Sequence, residues 1–336
     1  SAFGMFDTMG FDQALGLGGE QLAGMFGAME HDQVVAFDPG QLFDAAAGMA
    51  GADFQFLDAD SALAMLDTMG MDQALGLEGA GLAGVFGAMD DTQIAGFDGG
   101  QLFDATAAMN AEDFQFLDAD SAFGLFSGME LDQALGLEGG QSAGLFSLME
   151  GEQIQEIGGA QVVEVVTTWG PENLGLLGGE QAFAIAGTLD VGQMGTLDSS
   201  QLLGLATAVD GTAIIGLGSE VLDVMVTNLE AADFGSLDPG AVSGMLAGLD
   251  GGQLGSLDEG HREAALAALD ADFLSGGAAG FEDLQGGATA FDLLAELVDT
   301  VVVDGSETFT SLVADGGSSL GEGALDFFSG GLFGNN

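Results

Sequence analysis

The chain has 336 residues, with 54 acidic side chains, one Arg, no Lys and a formal net charge of −53 at pH 7. This charge excludes nucleic acid as a partner and excludes attachment to anionic lipid through a basic patch, because both need Lys and Arg. Hydrophobic residues make up 47% of the chain, too many for a disordered polyanion, so we expect a folded protein. Its charge is compatible with cations as partners, above all Ca²⁺, or with a very salty medium.

Composition excludes two further classes of protein. The chain has no Cys, which rules out disulfides, zinc–thiolate sites and thiol catalysis. It also has no apolar run long enough to cross a bilayer, so we expect no transmembrane helix and no membrane insertion.

Closely spaced helix starts are the first predicted elements. In the stretch that begins at Asp90, this residue precedes Gln93 by three positions, and Asp98 precedes Gln101 in the same way. Asp-x-x-Gln is typical of a capping box, in which the Asp accepts a main-chain N–H of the first turn and the Gln reaches back. The stretch therefore predicts two helices whose starts lie eight positions apart. The pattern returns in most rows when the sequence is written in rows of twenty.

Apolar residues recur with the same period. In these rows, column 17 is apolar from Leu17 to Leu257 and column 9 holds Met from Met9 to Met149. Columns 2, 5, 6 and 9 are spaced as one face of an α-helix, and columns 14 and 17 suit a second, shorter helix. Residues 1–270 are therefore predicted to form an all-α fold, an α-solenoid of 13 or 14 repeats with one repeat per layer and column 17 as the central seam of its core.

A β-solenoid is the alternative, because coils of about 20 residues rich in Gly and Asp also describe parallel β-helices. The first half of the chain favours helices, since it has few β-branched residues and its apolar residues do not alternate. The glycines of column 4 are expected to mark close contacts between helices; they are Gly24, Gly84, Gly124, Gly144, Gly204 and Gly244.

A second period, three rows long, overlies the first in residues 1–150. Ser1–Leu17, Ser61–Leu77 and Ser121–Leu137 are near copies, and DFQFLDAD occurs at Asp53–Asp60 and Asp113–Asp120. Tandem duplication explains these copies. Alternatively, they present a surface feature at every third repeat, which a partner of the same pitch could recognise.

The regular pattern fades after Leu269. Residues 271–280 are predicted to form a hinge, and residues 281–336 a C-terminal helix followed by a Gly-rich tail. This segment carries apolar residues on a Gly-rich tether, and the first row is as apolar as its neighbours, without the polar capping repeat that a monomeric solenoid needs. We therefore expect the segment to be the assembly element.

Column 18 carries a series of carboxylates, mostly Asp, with Glu78 and Glu138 in two rows. Their main expected role is helix N-capping, which leaves part of each carboxylate for water or a cation. Ca²⁺ binds several oxygens at close range, so the predicted calcium ligands are the doublets Asp58, Asp60, Asp118 and Asp120.

LDSSQLLGL at Leu197–Leu205 and LDGGQLGSL at Leu249–Leu257 share a Leu-Asp-x-x-Gln motif. The motif resembles the short tandem repeats L-(S/T)-x-x-Q-(I/V)-x-x-L of large secreted bacterial adhesin-like proteins. This chain departs from them by using Asp where those repeats favour Thr or Ser. The resemblance implies secretion and a role at the cell surface or in an extracellular matrix.

These features predict a secreted acidic structural protein, extracellular or on the cell surface, that self-assembles into a filament, sheath or matrix and depends on divalent cations. The alternative is a monomeric cell-surface adhesin or binding scaffold. We predict no enzyme and no catalytic residue; GSSLG at Gly317–Gly321 matches a nucleophile elbow, but no His follows it. The expected head-to-tail contact joins the first row to the tail, through Phe3, Met5, Phe6, Phe327, Phe328, Leu332 and Phe333.

Overall fold

The computed structural model describes Gly4 and residues 9–269. These residues form helices joined by tight turns and contain no strand. The predicted all-α fold is confirmed, and the β-solenoid alternative is wrong. The predicted hinge at 271–280 and the C-terminal segment 281–336 lie outside the described residues.

Short and long helices alternate in every row of twenty, as the capping pattern predicts. The short helices have four to seven residues and are Phe11–Ala14, His31–Val34, Gly51–Phe56, Met71–Ala74, Asp91–Ile94, Asp113–Phe116, Leu131–Ala134, Gly151–Ile157, Pro171–Leu174, Val191–Met194, Ile214–Leu217, Ala231–Ser236 and Gly251–Ser256. The long helices have eight to eleven residues and are Gly19–Phe26, Pro39–Ala47, Ala59–Met69, Gly79–Gly87, Gly99–Ala108, Ala119–Ser127, Gly139–Leu148, Gly159–Val166, Gly179–Thr188, Ser199–Ala208, Ser219–Asn228, Pro239–Gly248 and Glu259–Ala268. We number a short helix and the long helix that follows it as one repeat, from repeat 1 to repeat 13.

Capping boxes begin helices of both kinds. Asp90 Oδ1 accepts the N–H of Gln93 at 2.8 Å, and Gln93 Oε1 accepts the N–H of Asp90 at 3.3 Å. The long helix that follows begins in a similar way: Gln101 Oε1 accepts the N–H of Asp98, whose own carboxylate accepts the N–H of Gly100 at 2.9 Å. Helices this short are marginally stable alone. The caps stabilise them by pairing main-chain N–H groups that the first turn leaves without a partner.

Helices of neighbouring turns pack in a fixed order. The short helix Gly51–Phe56 lies between two long helices, Gly19–Phe26 of repeat 1 and Gly79–Gly87 of repeat 4. The long helix Gly79–Gly87 in turn contacts Asp113–Phe116, the short helix of repeat 6. Hydrogen bonds between turns join residues 29 to 35 positions apart. One turn of the coil is thus three helices long.

The expectation of one repeat per layer is therefore wrong. A turn of three helices contains one and a half repeats, so a long helix of one turn stacks on a short helix of the next. This alternation lets the short helices fill the space between long ones, where two long helices would stand too far apart at their ends.

The helices divide into two units, Ser1–Thr188 and Leu189–Asn336. Within the second unit, Glu259–Ala268 packs on Ala231–Ser236 in the same manner.

The core follows the apolar columns. Column 14 is fully or almost fully buried throughout, as at Ile94, Phe54 and Leu174, and the column 9 methionines from Met29 to Met149 are buried as well. Column 17 is buried less completely, with 7% of Leu117 exposed. The central line of the core is therefore column 14 and not column 17, because the column 17 residue follows the short helix at the margin of the stack.

Close contacts between helices are confirmed at four of the predicted glycines. A Cβ on Gly84 would lie 2.6 Å from Phe54 Cδ2, and Gly144 holds the same position against Phe114. In both cases the ring belongs to the short helix of the preceding repeat. Because these glycines have no side chain, the long helix approaches the ring more closely than it could with any other residue at this position.

The other predicted glycines behave according to what precedes them in the coil. Gly124 faces Ile94 of the preceding repeat, and Gly244 faces the main chain of Gly211. Gly24 meets nothing within 4 Å among the residues that the structure describes.

Candidate functional site

The Asp carboxylates of column 18 act as helix caps, as predicted, whereas the side chain of Glu78 makes no capping hydrogen bond. A side-chain oxygen of Asp38, Asp58, Asp98, Asp118, Asp198, Asp238 or Asp258 accepts a main-chain N–H in the first turn of the long helix that follows. Each of these bonds uses Oδ1. The second oxygen of each carboxylate therefore retains capacity for water, another side chain or a cation.

The structure places the four predicted calcium ligands in two equivalent pairs. Asp58 caps the helix at Ser61 with a 2.7 Å bond, and Asp118 accepts both the N–H and the hydroxyl of Ser121. Asp60 and Asp120 point to the next turn, where the amides of Gln93 and Gln153 donate to them at 3.2 and 2.9 Å.

The members of each doublet thus bond to different partners. Within residues 9–269, no three acidic or His side chains stand close enough together to hold a metal ion. Calcium binding at Asp58, Asp60, Asp118 and Asp120 stays a prediction, which two carboxylates and water from solvent would have to satisfy.

One contact between turns recurs at every third row; we call it the cap joint. It joins the first residue of a long helix to a short acid or amide in column 13, two rows later. Gly19 faces the carboxylate of Asp53 with no room for a Cβ, and Gly79 faces Asp113 in the same way. Gly139 faces Asn173, and in the second unit Ser199 donates its hydroxyl to Asp233.

The cap joint extends the longer period of the sequence. Gly99 also approaches a column 13 side chain, the longer Gln133. Asp or Asn, however, occurs in column 13 only in the four rows of the joint. The three-row period therefore continues to Asp233, well beyond the near copies.

A second set of contacts, which we call carbonyl clamps, ties some of the long helices to the end of another. The donor is a first-turn side chain, and the acceptor is the main-chain carbonyl of the column 9 residue 32 positions earlier. Gln141 Nε2 donates to Met109 O at 2.7 Å, and Gln181 Nε2 to Met149 O at 2.9 Å. Ser61 and Ser121 hold the same place in their helices, but the nearer acceptors of their hydroxyls are Phe26 O at 3.1 Å and Asp118 Oδ1 at 2.6 Å. The clamps satisfy carbonyls that helix ends leave without a partner.

Two exceptions to the columns explain each other. Ser142 interrupts the apolar column 2, and Trp169 follows the last methionine of column 9. Trp169 Nε1 donates to Ser142 Oγ at 2.8 Å in the interior, and the indole packs edge-on against Phe146 at 5.2 Å between ring centroids. The hydroxyl is there because a buried indole N–H needs an acceptor.

The clamp of the last described repeat uses a histidine. His261 Nε2 lies 2.8 Å from the carbonyl oxygen of Leu229, and Nδ1 lies 2.7 Å from Oδ2 of Asp258. The hydrogen bond from the main-chain N–H of His261, then those from its ring with the ring's charge, hold the pKa of Asp258 below its usual value. The bonds from Thr212 lower the pKa of Asp210 in a similar way.

Two concave surfaces lie in the first unit. A pocket of about 220 Å³ is lined mainly by apolar side chains that include Phe123, Met129 and Ile157, with Glu156 among them. A wider groove of about 520 Å³ runs between residues 107–111 and 136–141. Gln141 is part of this groove, and its Nε2 lies within hydrogen-bond distance of three main-chain carbonyl oxygens, the nearest being Met109 O at 2.7 Å.

The predicted assembly residues Phe3, Met5, Phe6, Phe327, Phe328, Leu332 and Phe333 lie outside the described residues. The described surface does carry exposed apolar side chains. Phe56 and Leu176, both in column 16, are 44% and 47% exposed. Helices that could span a membrane are not found among residues 9–269.

Comparisons of the chain with protein families, with curated proteins and with solved structures found no match.

Sequence reasoning missed the clamps and the cap joint. A signal for the joint was present, because Gly or Ser in column 19 of one row pairs with Asp or Asn in column 13 two rows later. Recognising it requires knowing that turns stack one and a half rows apart, which no single row reveals.

Proposed function

We propose that this chain is an acidic structural protein that is secreted, assembles with copies of itself into an extracellular filament, sheath or matrix, and needs divalent cations to do so. The observation that carries the proposal is the recurrence of one packing joint at every third row between Gly19 and Asp233. The sequence regularities of the chain are accounted for by packing between helices. A structural function agrees with this use of the sequence better than an enzymatic function does. The absence of enzymatic activity stays a prediction.

Charge gives the argument for cations. All but one of the described carboxylates lie at least partly in solvent, and Arg262 is the sole Arg of the whole chain. Two such surfaces repel each other at short range. Assembly therefore requires ions that bridge carboxylates or screen them, and the free oxygens of the capping residues and of Asp60 and Asp120 are available for bridging.

Sedimentation velocity of the purified chain tests the cation dependence. We expect monomers in chelator at low ionic strength, large species with millimolar Ca²⁺, and little assembly in NaCl of the same ionic strength. Equal assembly in NaCl would reduce the role of Ca²⁺ to screening. No assembly under any condition would favour the monomeric binding scaffold, for which the groove at 107–111 and 136–141 is the supporting observation.

A matched pair of variants tests the calcium ligands. The double variant D60N/D120N removes two charges from the predicted ligands and keeps an amide oxygen for Gln93 and Gln153. The control D72N/D132N removes the same charge from two exposed first-turn residues that are also three rows apart. A higher Ca²⁺ requirement only in the first variant supports binding at the doublets; equal shifts indicate general charge.

The assembly segment is proposed to be 281–336, docked on the first rows or the flank of a neighbouring copy. A head-to-tail contact of this kind does not close and so gives an open filament. The rival hypothesis is that the segment folds back as a cap on Ala264–Phe273 of its own chain. Deleting 281–336 separates the two, because docking predicts a helical monomer by circular dichroism and sedimentation, whereas the cap predicts unfolding or aggregation. The variants F56S and L176S distinguish the two docking surfaces. Weaker assembly of these variants would indicate docking on the flank, and unchanged assembly would indicate docking on the first rows.

A further inference from the structure

The last carbonyl clamp differs from the others in one respect, its capacity to change charge. In repeats 7 and 9 the donor is Gln, whose amide keeps its protons at any pH in the physiological range. In repeat 13 the donor is His261, which occupies the same column and reaches the carbonyl of Leu229 across the same sequence separation of 32. Histidine is the side chain that titrates between pH 5 and 8.

Both ring nitrogens of His261 face atoms that only accept hydrogen bonds. Nε2 lies 2.8 Å from Leu229 O, a main-chain carbonyl, and Nδ1 lies 2.7 Å from Oδ2 of Asp258, a carboxylate. A neutral imidazole carries one N–H and one lone pair. Whichever nitrogen keeps the proton, the other then points a lone pair at an oxygen at hydrogen-bond distance. Only the imidazolium satisfies both contacts.

We infer that His261 is a pH-sensitive clamp that holds helix Glu259–Ala268 on the preceding turn when it is protonated and loosens it when it is neutral. Protonation gives the imidazole a second N–H. Both acceptors, Leu229 O and Asp258 Oδ2, are already at hydrogen-bond distance. The geometry that carries this is the pair of acceptors, and it is independent of the proposed assembly.

The charged side chains around the clamp are mostly acidic. The neighbouring helix Pro239–Gly248 bears no charged side chain, and the ring of Phe234 stands edge-on to the imidazole at 6.1 Å between centroids. The charged side chains on the helix itself, its cap and the segment packed against it are Asp258, Glu259, Arg262, Glu263, Glu230 and Asp233. Five of the six are acidic.

The composition makes the effect measurable in the full chain. There is no Cys, no Tyr and no Lys, and the only two histidines are His31 and His261. Any side-chain titration between about pH 5.5 and 8 therefore belongs to one of them. His31 is exposed at the start of its short helix, which makes H31Q a control for charge without a clamp.

Hydrogen exchange of the full chain at pH 6 and pH 8, expressed as protection factors corrected for intrinsic rates, tests the inference. Loss of one hydrogen bond predicts roughly three- to tenfold lower protection of residues 259–268 at pH 8. H31Q should behave as the parent. H261Q should show equal protection at both pH values, because Gln donates to the same carbonyl in repeats 7 and 9. Equal protection in the parent, or pH dependence that persists in H261Q, would overturn the proposal.

Ring signals of ¹⁵N-histidine-labelled protein give a second readout that does not depend on stability. The chain yields two sets of signals, and H31Q identifies the set of His261. At pH 6 we expect both nitrogens of His261 to be protonated, with a return to one N–H as the pH rises. A ring that is neutral at pH 6 would contradict the clamp even if H261Q folds poorly.

Discussion

Removing three rows from the first unit should harm it less than removing one. The variant Δ61–120 joins Asp60 to Ser121, within two copies of the same Ala-Asp-Ser-Ala sequence. It places Ser121 where Ser61 stood, so that the hydroxyl bond to Phe26 O, 3.1 Å long in the parent, is rebuilt by an identical side chain. It also places Gly144 opposite Phe54, and Gly144 already accommodates a Phe ring at Phe114.

The variant Δ61–80 removes a single row and so keeps the shorter period, but it breaks these matches. Residue 104 now takes the place of Gly84, so an Asp side chain meets the ring of Phe54 where even a Cβ would lie 2.6 Å from Cδ2. Gly81 takes the place of Ser61 and cannot donate to Phe26 O. Overpacking costs about 1–3 kcal/mol and a lost hydrogen bond about 1 kcal/mol, so we expect a loss on the order of 3 kcal/mol.

Urea unfolding followed by the fluorescence of Trp169, the single Trp of the chain, measures this difference in the first unit. With a slope of about 1–3 kcal/mol per molar urea, the midpoint of Δ61–80 should lie roughly 1 M or more below that of Δ61–120. Adding Asp104→Gly to Δ61–80 should recover part of the loss. A Δ61–80 variant as stable as Δ61–120 would refute the stacking of turns at one and a half rows.

Three further predictions concern single contacts. Gly84→Ala should destabilise the first unit by about 1–3 kcal/mol in urea unfolding, whereas Gly24→Ala, where a Cβ meets nothing, should stabilise it by up to about 1 kcal/mol; equal effects would mean that Gly84 has room. Ser142→Ala should cost about 1–3 kcal/mol by the same assay, because it leaves the indole N–H of Trp169 buried without an acceptor, and Ser142→Thr should recover most of it. Since the pKa of Asp258 is lowered on folding, its charge stabilises the last helix above the ordinary value of 3.8, and this contribution is lost as pH falls through the lowered value. Asp258→Asn should therefore reduce the loss of hydrogen-exchange protection at 259–268 as the pH falls. If this loss is unchanged in the variant, other carboxylates cause it.

The helices were predictable from the sequence because their signals are local. An Asp or Glu three positions before a Gln, as at Asp90 and Gln93, specifies a helix start through contacts within one turn. Burial of column 14 and column 9 follows from spacing within the same row. The short helices of 3₁₀ type, such as Asp113–Phe116, were not predicted, because their geometry depends on packing between the neighbouring turns.

The stacking order could not be predicted, because it depends on which helices meet across turns. The same limit applies to the site. The capping role of Asp58 and Asp118 follows from their own sequence, whereas the bonds of Asp60 and Asp120 to Gln93 and Gln153 depend on how far along the chain the next turn lies. His261 gave no signal of its own in a column otherwise filled mainly by Gln and Ser.

The two periods of the sequence follow from one geometric relation. One row restores the order of short and long helices, and one turn, which is one and a half rows long, restores the position in the coil. The two coincide only after three rows and two turns. A side chain adapted both to its own helix and to its neighbours above and below can therefore recur only at that interval.

Column 4 shows the consequence. Its residues in repeats 1, 4 and 7 of the first unit are all Gly, and those in repeats 2, 5 and 8 are all acidic, namely Asp44, Asp104 and Glu164. Apolar character, which only requires the correct face of a helix, is shared by most rows. In these two sets the residue type, which must fit a particular neighbour, recurs at every third row, whereas repeats 3, 6 and 9 carry Ala64, Gly124 and Ala184. Changes of length in multiples of three rows preserve both, and this accounts for near copies at that spacing without any requirement for a partner of the same pitch.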